Sequence, residues 1–559
     1  MAADTETVKN SDLDRDLFYE LLLGEMSATI GDTANAYALM LDAGRKSGSD
    51  KVFERAIELG LRARSADAAL DAARAWQRAV PTSREANRYV LQILIGLNRV
   101  SDTLEPLRRE LAGATGPERL NTINLLPRYY ARVTDKTLAA EQLEAALAND
   151  LRTTTTGPAA WSALGMMRLQ AGNTTGALEA ARQGAALNPL SDEVAVLTLN
   201  LLDSQAAQVQ PLVDTYLAGK PLPELQMAYI RKLITTNRLP DARLQLATLT
   251  ERSPTFAEAW LMRGSLQLQD LLMGDAETSL KRYLELADAG AAPGDAATAG
   301  TETNRSTVQA RLMLAQIADE SNKPAEAEAY LARINSPQDA LRVQIRRALM
   351  AARQGKMEEA RAQIRATPES QPDDARAKLS AEVQLLRDYK MFAQAYDLLQ
   401  TTLPRVGKDA GLAYEQAMLA EKLNRPADME RLLRKVIADF PEYHHAYNAL
   451  GYLLADRNQR LPEARALVTK ALEFAPNDPF IVDSLGWVEF RSGNIAEARR
   501  LLEKAYGLRP DPEIAAHLGE VLWSLGLRDE ATGIWRTALQ ADKTNTLLQE
   551  TVNRLRGAL

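Results

Sequence analysis

From Ser484 to Pro510 the chain reads SLGWVEFRSGNIAEARRLLEKAYGLRP. Ala498, Leu502 and Ala505 fall at spacings of four and three, on one face of a helix. Gly493-Asn494 breaks the chain ahead of that helix, and Pro510 stops it. Leu485-Gly486 sits in a preceding helix, where the small glycine lets the second helix approach closely. The stretch predicts a helical hairpin over 479–512. The same frame recurs as an alanine followed twelve residues later by a proline: Ala69/Pro81, Ala177/Pro189, Ala242/Pro254, Ala360/Pro372, Ala464/Pro476 and Ala498/Pro510. The key alanines Ala327, Ala360, Ala395 and then Ala464, Ala498, Ala531 are 33 to 35 residues apart. One hairpin cannot bury its apolar face alone, so the units must stack into a solenoid.

Units begin near 16, 50, 84, 118, 158, 190, 223, 257, 307, 341, 375, 410, 444, 479 and 512, about fifteen hairpins in all. The pattern is strongest at 158, where Trp161, Leu164, Gly165, Ala177 and Pro189 keep the frame, and at 257, 444, 479 and 512. It is weakest over 84–150. Residues 1–15 are polar and acidic and are expected to be disordered. A first array is expected over 16–287 and a second over 307–543. Between them, residues 288–306 (DAGAAPGDAATAGTETNRS) have no apolar periodicity and predict a loop. Residues 544–559 predict a capping helix, with Leu547, Leu548, Val552 and Leu555 covering the last hairpin. A hairpin period near 34 resembles the tetratricopeptide (TPR) repeat. The resemblance implies an all-α fold, a right-handed superhelix of stacked hairpins.

Composition supports the all-α class: helix formers dominate the 559 residues, and aromatics are 5%. Lys plus Arg number 67 against 74 Asp plus Glu, with no long basic run to mark a nucleic-acid surface. The absence of cysteine excludes disulfides, thiolate chemistry and cysteine-based zinc sites. No run approaches the 18 apolar residues of a membrane span. His444, His445 and His517 are the only histidines, and the adjacent pair is expected to point to different helix faces. There is no H-E-x-x-H, no G-x-G-x-x-G, no P-loop and no G-x-S-x-G elbow. Carboxylates lie three or four residues from arginines, as in EARRLLEK, and read as solvated ion pairs. The expectation is a non-enzyme with no cofactor, no metal and no nucleic-acid partner.

In a TPR array the first helix of each hairpin lines the inner groove. The residue just after the helix glycine, and the one four after it, turn toward that groove. After Gly451, Gly486 and Gly519 these offsets place Tyr452, Trp487, Phe490 and Trp523 along one surface, the candidate protein-binding groove. Exposed aromatics are common anchors of interfaces. The same offsets elsewhere give less aromatic residues, Met166 and Leu169 after Gly165 and Ser265 and Leu268 after Gly264. Asp483 and Asn448 occupy inner positions where a clamp for a terminal carboxylate would place basic side chains.

Two stretches resemble a family of large proteobacterial TPR lipoproteins: Leu17 to Pro81, opening LFYELLLGEMSATIGDTANAYALM, and Tyr443 to Ala498, opening YHHAYNALGYLLADRNQRLPEARALV. The characterised function in that family is partnership with a periplasmic carboxyl-terminal processing protease. The resemblance implies an outer-membrane-anchored, periplasm-facing adaptor. It would bind the PDZ-containing serine protease, promote its activity and bring it substrates such as peptidoglycan cross-link hydrolases. The family's lipid-modified cysteine has no counterpart among these residues, so its anchor would lie in a segment preceding them. The alternative expectation is a cytoplasmic or envelope-assembly TPR scaffold for another protein.

Overall fold

The computed structural model of the chain describes residues 14–290, 301–369 and 371–556. Those residues form α-helices and short 3-10 turns, with no strand among them. The chain divides into two compact units, one ending at Ala296 and the other beginning at Ala297. Each is a stack of helical hairpins. In the N-terminal unit the first helices are Arg15–Ile30, Asp50–Arg62, Arg84–Gly96, Gly116–Tyr129, Gly157–Gln170, Pro223–Thr235 and Ala257–Gln269. In the C-terminal unit they are Thr301–Glu320, Ala340–Arg353, Asp374–Asp388, Ala410–Lys422, His444–Asp456, Pro479–Arg491 and Pro512–Ser524. Most of them pack closest on the helix that follows; Asp50–Arg62 and Arg84–Gly96 pack at least as closely on the helix before them, and Gly116–Tyr129 packs on Gly157–Gln170.

One hairpin is hidden in what looks like a single long helix, Asp192–Ala218. Gln205 has non-helical backbone angles (φ −137°, ψ 34°). The Tyr216 hydroxyl donates to Asp192 Oδ1 at 2.6 Å. In an unbroken helix those residues would be about 36 Å apart, so the chain folds back at Gln205. The weakly patterned region 84–150 is also helical, with 3-10 turns at Val100–Asp102 and Tyr130–Arg132, but Gly116–Tyr129 and Lys136–Ala146 each pack on Gly157–Gln170 rather than chiefly on one another.

The hairpin corner is built the same way in unit after unit. The second residue beyond the first helix takes a left-handed conformation, as at Gly172, Asn237, Asn322, Gly355, Asn424, Asn458, Gly493 and Gly526. At Gly493 its N–H donates to the Phe490 carbonyl at 3.0 Å, and the Asn494 N–H donates to the Glu489 carbonyl at 2.8 Å. These bonds satisfy carbonyls the helix end leaves open. Leu271 occupies the same position at φ +61°, a conformation costly for a residue with a branched side chain.

The recurrent glycine and alanine mark where the two helices of a hairpin come closest. The key alanines Ala69, Ala177, Ala242, Ala327, Ala360, Ala395, Ala464, Ala498 and Ala531 all have no exposed surface. A Cβ on Gly451 would lie 2.9 Å from the Ala464 carbonyl oxygen and 2.5 Å from a Val468 methyl. One on Gly486 would lie 2.7 Å from Leu502 Cγ.

Three boundaries differ from the sequence expectation. Arg15 is already helical, its helix capped by Asp14, whose carboxylate accepts the Leu17 N–H at 2.7 Å; the rest of the segment expected to be disordered, 1–13, lies outside the described residues. Of the expected loop 288–306, residues 288–290 end the Met273–Gly290 helix and 301–306 open the Thr301–Glu320 helix. Alanine-rich and polar flanks prolong a helix at little cost even without an apolar stripe. Residues 291–300 of that loop lie outside the described residues. At the C-terminal end, Thr546–Arg556 packs on Pro512–Ser524 and buries Leu548 and Val552, with Leu547 and Leu555 partly covered; residues 557–559 lie outside the described set.

The Gly451 crossing makes a direct test. Gly451→Ala sets a methyl against the Ala464 carbonyl oxygen and the Val468 backbone as well as the Val468 side chain, and overpacking of this kind costs about 1–3 kcal/mol. Thermal melting should show the loss in full, whereas Gly507→Ala, where a Cβ meets open space, should leave melting unchanged or slightly raised.

Candidate functional site

The four aromatics singled out by their offsets lie on three successive first helices, and the structure seals them to different degrees. Trp487 is buried, 5% exposed. Its ring stacks on His517 of the next hairpin at 4.4 Å, 22° from parallel. Phe490 lies 5.3 Å from it on its own helix, and the Arg491 guanidinium lies 5.6 Å from its centroid. Trp487 therefore does not line an open groove. Neighbouring first helices lie side by side, and the position after the glycine points into the seam between them. Tyr452 and Phe490 are half-buried. Trp523 is half-buried against Trp535 at 5.6 Å, with the Arg528 guanidinium 5.1 Å from its centroid.

At the centre is His517, 3% exposed. Its Nδ1 lies 2.9 and 3.1 Å from the two Asp483 carboxylate oxygens. A carboxylate can only accept, so Nδ1 carries the proton. Nε2 lies 3.3 Å from the Tyr452 hydroxyl oxygen. Asp483, Tyr452 and His517 come from three different hairpins, so this polar bridge ties three units together. Burial pushes the imidazole down, but the charge of Asp483 and its hydrogen bond more than offset it, and the His517 pKa is raised. Burial drives the Tyr452 hydroxyl well above its usual range, helped by Asp456 and Asp483.

A carboxylate, an imidazole and a hydroxyl in line have the order of a hydrolytic triad. Here the hydroxyl is strongly disfavoured as an anion, and the imidazole face is covered by the Trp487 ring. The arrangement braces the fold. Asn448, also on an inner position, is half-buried and its Oδ1 has no partner. Among the described residues no group of three or more acidic or histidine side chains is placed to hold a metal ion. His444 and His445 have ring centroids 4.2 Å apart. They were expected to diverge, but in the first turn of their helix the two rings swing together beside Tyr443, Tyr414 and Phe474.

The exposed apolar surface is elsewhere. On the Arg15–Ile30 helix, Phe18, Leu22, Met26 and Ile30 are 56%, 45%, 55% and 81% exposed, with Tyr19 at 60%. A spacing of four aligns them as one ridge along the helix. The opposite face, with Leu17, Gly24, Ser27 and Ala28 buried, packs on Thr33–Ser47. The i, i+4, i+8, i+12 series was readable in the sequence; the dearth of polar residues on that helix hid which face was spare.

Comparison with known proteins bears on this geometry. The tetratricopeptide repeat profile matches residues 128–192, 231–296, 312–375, 414–479 and 484–545, more than half of the chain. TPR repeat-containing protein PA4667 of Pseudomonas aeruginosa is similar, 35% identical over 249 residues. The match spans 44% of this chain and 42% of that relative. Among solved structures, the Cut9–Hcn1 hetero-tetramer of the APC/C covers 97% of this chain and 97% of its own at 12% identity and a TM-score of 0.33. A tetratricopeptide repeat protein from Parabacteroides merdae covers 39% of this chain and 86% of its own, at 15% identity and a TM-score of 0.33.

The buried cluster has two measurable consequences. Trp487→Ala should lose about 3–5 kcal/mol, as for other large core aromatics, and melt the C-terminal repeats. The raised His517 pKa predicts stability fully present below the ordinary imidazole value of 6.5 and lost as pH rises through the higher folded value. Melting temperatures from pH 6 to 9 should fall more steeply for the unaltered chain than for His517→Gln.

Proposed function

This chain belongs to the tetratricopeptide repeat family, and we propose that it is a non-catalytic adaptor that docks a carboxyl-terminal processing protease. In this reading it raises the protease's activity and helps deliver substrates, the peptidoglycan cross-link hydrolases of the cell wall. It works in the periplasm, held to the outer membrane by a lipid anchor on a segment preceding these residues.

The observation that carries the reading is the ridge on Arg15–Ile30. A contiguous apolar ridge left to solvent is a docking face in want of a partner. It lies within Leu17 to Pro81, one of the two stretches that resemble the protease-partner lipoproteins. A helix whose inner face is anchored on its own array and whose outer face is apolar suits helix-in-groove association. The rest of the molecule supports a scaffold role: its buried polar clusters brace hairpins, and its corners repeat one geometry.

The test mixes the purified chain with a PDZ-containing carboxyl-terminal processing protease and a cross-link hydrolase. Co-elution of chain and protease is expected at micromolar concentration, with faster cleavage of the hydrolase. Phe18→Glu/Met26→Glu should leave melting unchanged, since both residues are exposed, while weakening association by about thirtyfold, the ~2 kcal/mol of an interface anchor. Absence of both co-elution and faster cleavage with the unaltered chain would sink the reading.

A further inference from the structure

Two neighbouring second helices of the C-terminal unit, Phe392–Val406 and Pro426–Asp439, leave a slot between them beside the start of Ala410–Lys422. It opens between second helices, not along the row of first helices. This hairpin departs from the repeating frame: twelve residues after Ala395 stands Gly407, and a proline comes early, at 404, inside the helix. The slot holds about 340 Å³, more than the ~150 Å³ that accommodates a benzene ring. Its floor is Leu399, Leu432 and Val436, all buried. Leu403, Pro404 and Phe440 stand around it and keep exposed surface.

One polar side chain reaches this apolar floor. Gln416 lines the slot and is 7% exposed, yet its amide makes no hydrogen bond among the described residues. A buried amide without a partner is uncommon and costly in a folded chain. Around the mouth the charged groups are engaged, with one exception. Arg431 is held by Asp428 at 3.0 Å and Lys408 by Asp439 at 3.2 Å. Asp409 accepts the Leu412 N–H at 2.8 Å. Lys435 is exposed and has no ion pair or hydrogen bond among the described residues.

We propose that this slot takes the phenol of a tyrosine on a protein partner, with an acidic residue beside that tyrosine reaching Lys435. The group that meets Gln416 must be neutral, because no cation lines the floor to offset a buried carboxylate. It must sit at the tip of an apolar body that fills the slot. A phenol satisfies both conditions: its hydroxyl donates to the amide oxygen or accepts from the amide nitrogen. A phenylalanine ring or an acyl tail leaves the amide unmet, and a serine hydroxyl leaves the apolar volume empty. Tyrosine also loses little conformational freedom on docking, which suits it to an anchor. The inference rests on the scaffold reading and gives it a second protein site, apart from the ridge on Arg15–Ile30.

The test titrates the full chain with the capped peptide Gly-Asp-Tyr-Asp-Gly, followed by ligand-observed NMR to millimolar concentration. Saturable binding is expected, and the same peptide with phenylalanine for tyrosine should bind at least about tenfold more weakly, ~1.4 kcal/mol. Gln416→Leu should erase that preference while melting stays as in the unaltered chain. Lys435→Glu should weaken the tyrosine peptide severalfold at low salt and remove most of its salt dependence. Gln416→Leu should leave co-elution with the protease unchanged, and Phe18→Glu/Met26→Glu should leave peptide binding unchanged, so failure of this site and failure of the protease reading are told apart. Absence of binding, equal binding of the two peptides to the unaltered chain, or a preference that survives Gln416→Leu overturns the proposal. So does a dimer of the unaltered chain that Gln416→Leu dissociates, since the occupant would then be a second copy.

Discussion

Much of the architecture depends on one close contact, the crossing of two helices at a glycine and a fully buried alanine, seen at Gly60/Ala69, Gly264/Ala276, Gly451/Ala464 and Gly486/Ala498. Only residues this small bring the helix backbones near enough for the flanking leucines and valines to interlock, as Val468 does over Gly451 and Leu502 over Gly486. The crossing sets the geometry of each hairpin. Hairpins alike in geometry then stack at a constant step, and each apolar face is closed by the next unit rather than by one central core. The cores reflect this: in each unit they are a series of clusters, each drawn from neighbouring hairpins.

Stacking also explains why the most conspicuous aromatics are structural. First helices of successive hairpins pack side by side, so a large ring just beyond the glycine is caught in the seam. Trp487 is stacked under His517, and His517 is tied to Asp483 and close to Tyr452. A polar bridge of this kind costs desolvation, and its favourable terms come from the ionised pair and good geometry. It fixes the register of three hairpins more sharply than apolar contacts, which tolerate sliding.

What remains open is correspondingly easy to recognise. Among the described residues no hairpin covers the outer face of the Arg15–Ile30 helix, and its apolar ridge is exposed. Inside the N-terminal unit, small and medium side chains such as Ala163, Met166 and Val196 leave the concave side unfilled where Trp487 fills the corresponding seam of the C-terminal unit. Pro127 lies within its helix and has no N–H to donate to the turn before it. It adds an apolar wall to that concavity.

Much of the fold was legible in local pattern. The spacing of alanine, glycine and proline located the hairpins, including the one concealed in Asp192–Ala218, because helix crossing and helix termination are decided by residues within one unit. The capping helix was legible for the same reason: its apolar residues follow one period. The ends of the segment 288–306 were not, because helix continuation through alanine-rich flanks needs no apolar stripe. The site was the least legible part. Whether Trp487 meets solvent or His517 depends on a residue 30 positions away on another hairpin, and no local periodicity encodes that. The same holds for the groove of the N-terminal unit. Stacking alone brings Met166 beside Pro127, Val196 and Leu222. Sequence determines which helices form and where they cross; tertiary stacking decides which side chains are sealed between them, because burial is a property of neighbours that the chain brings together only when it folds.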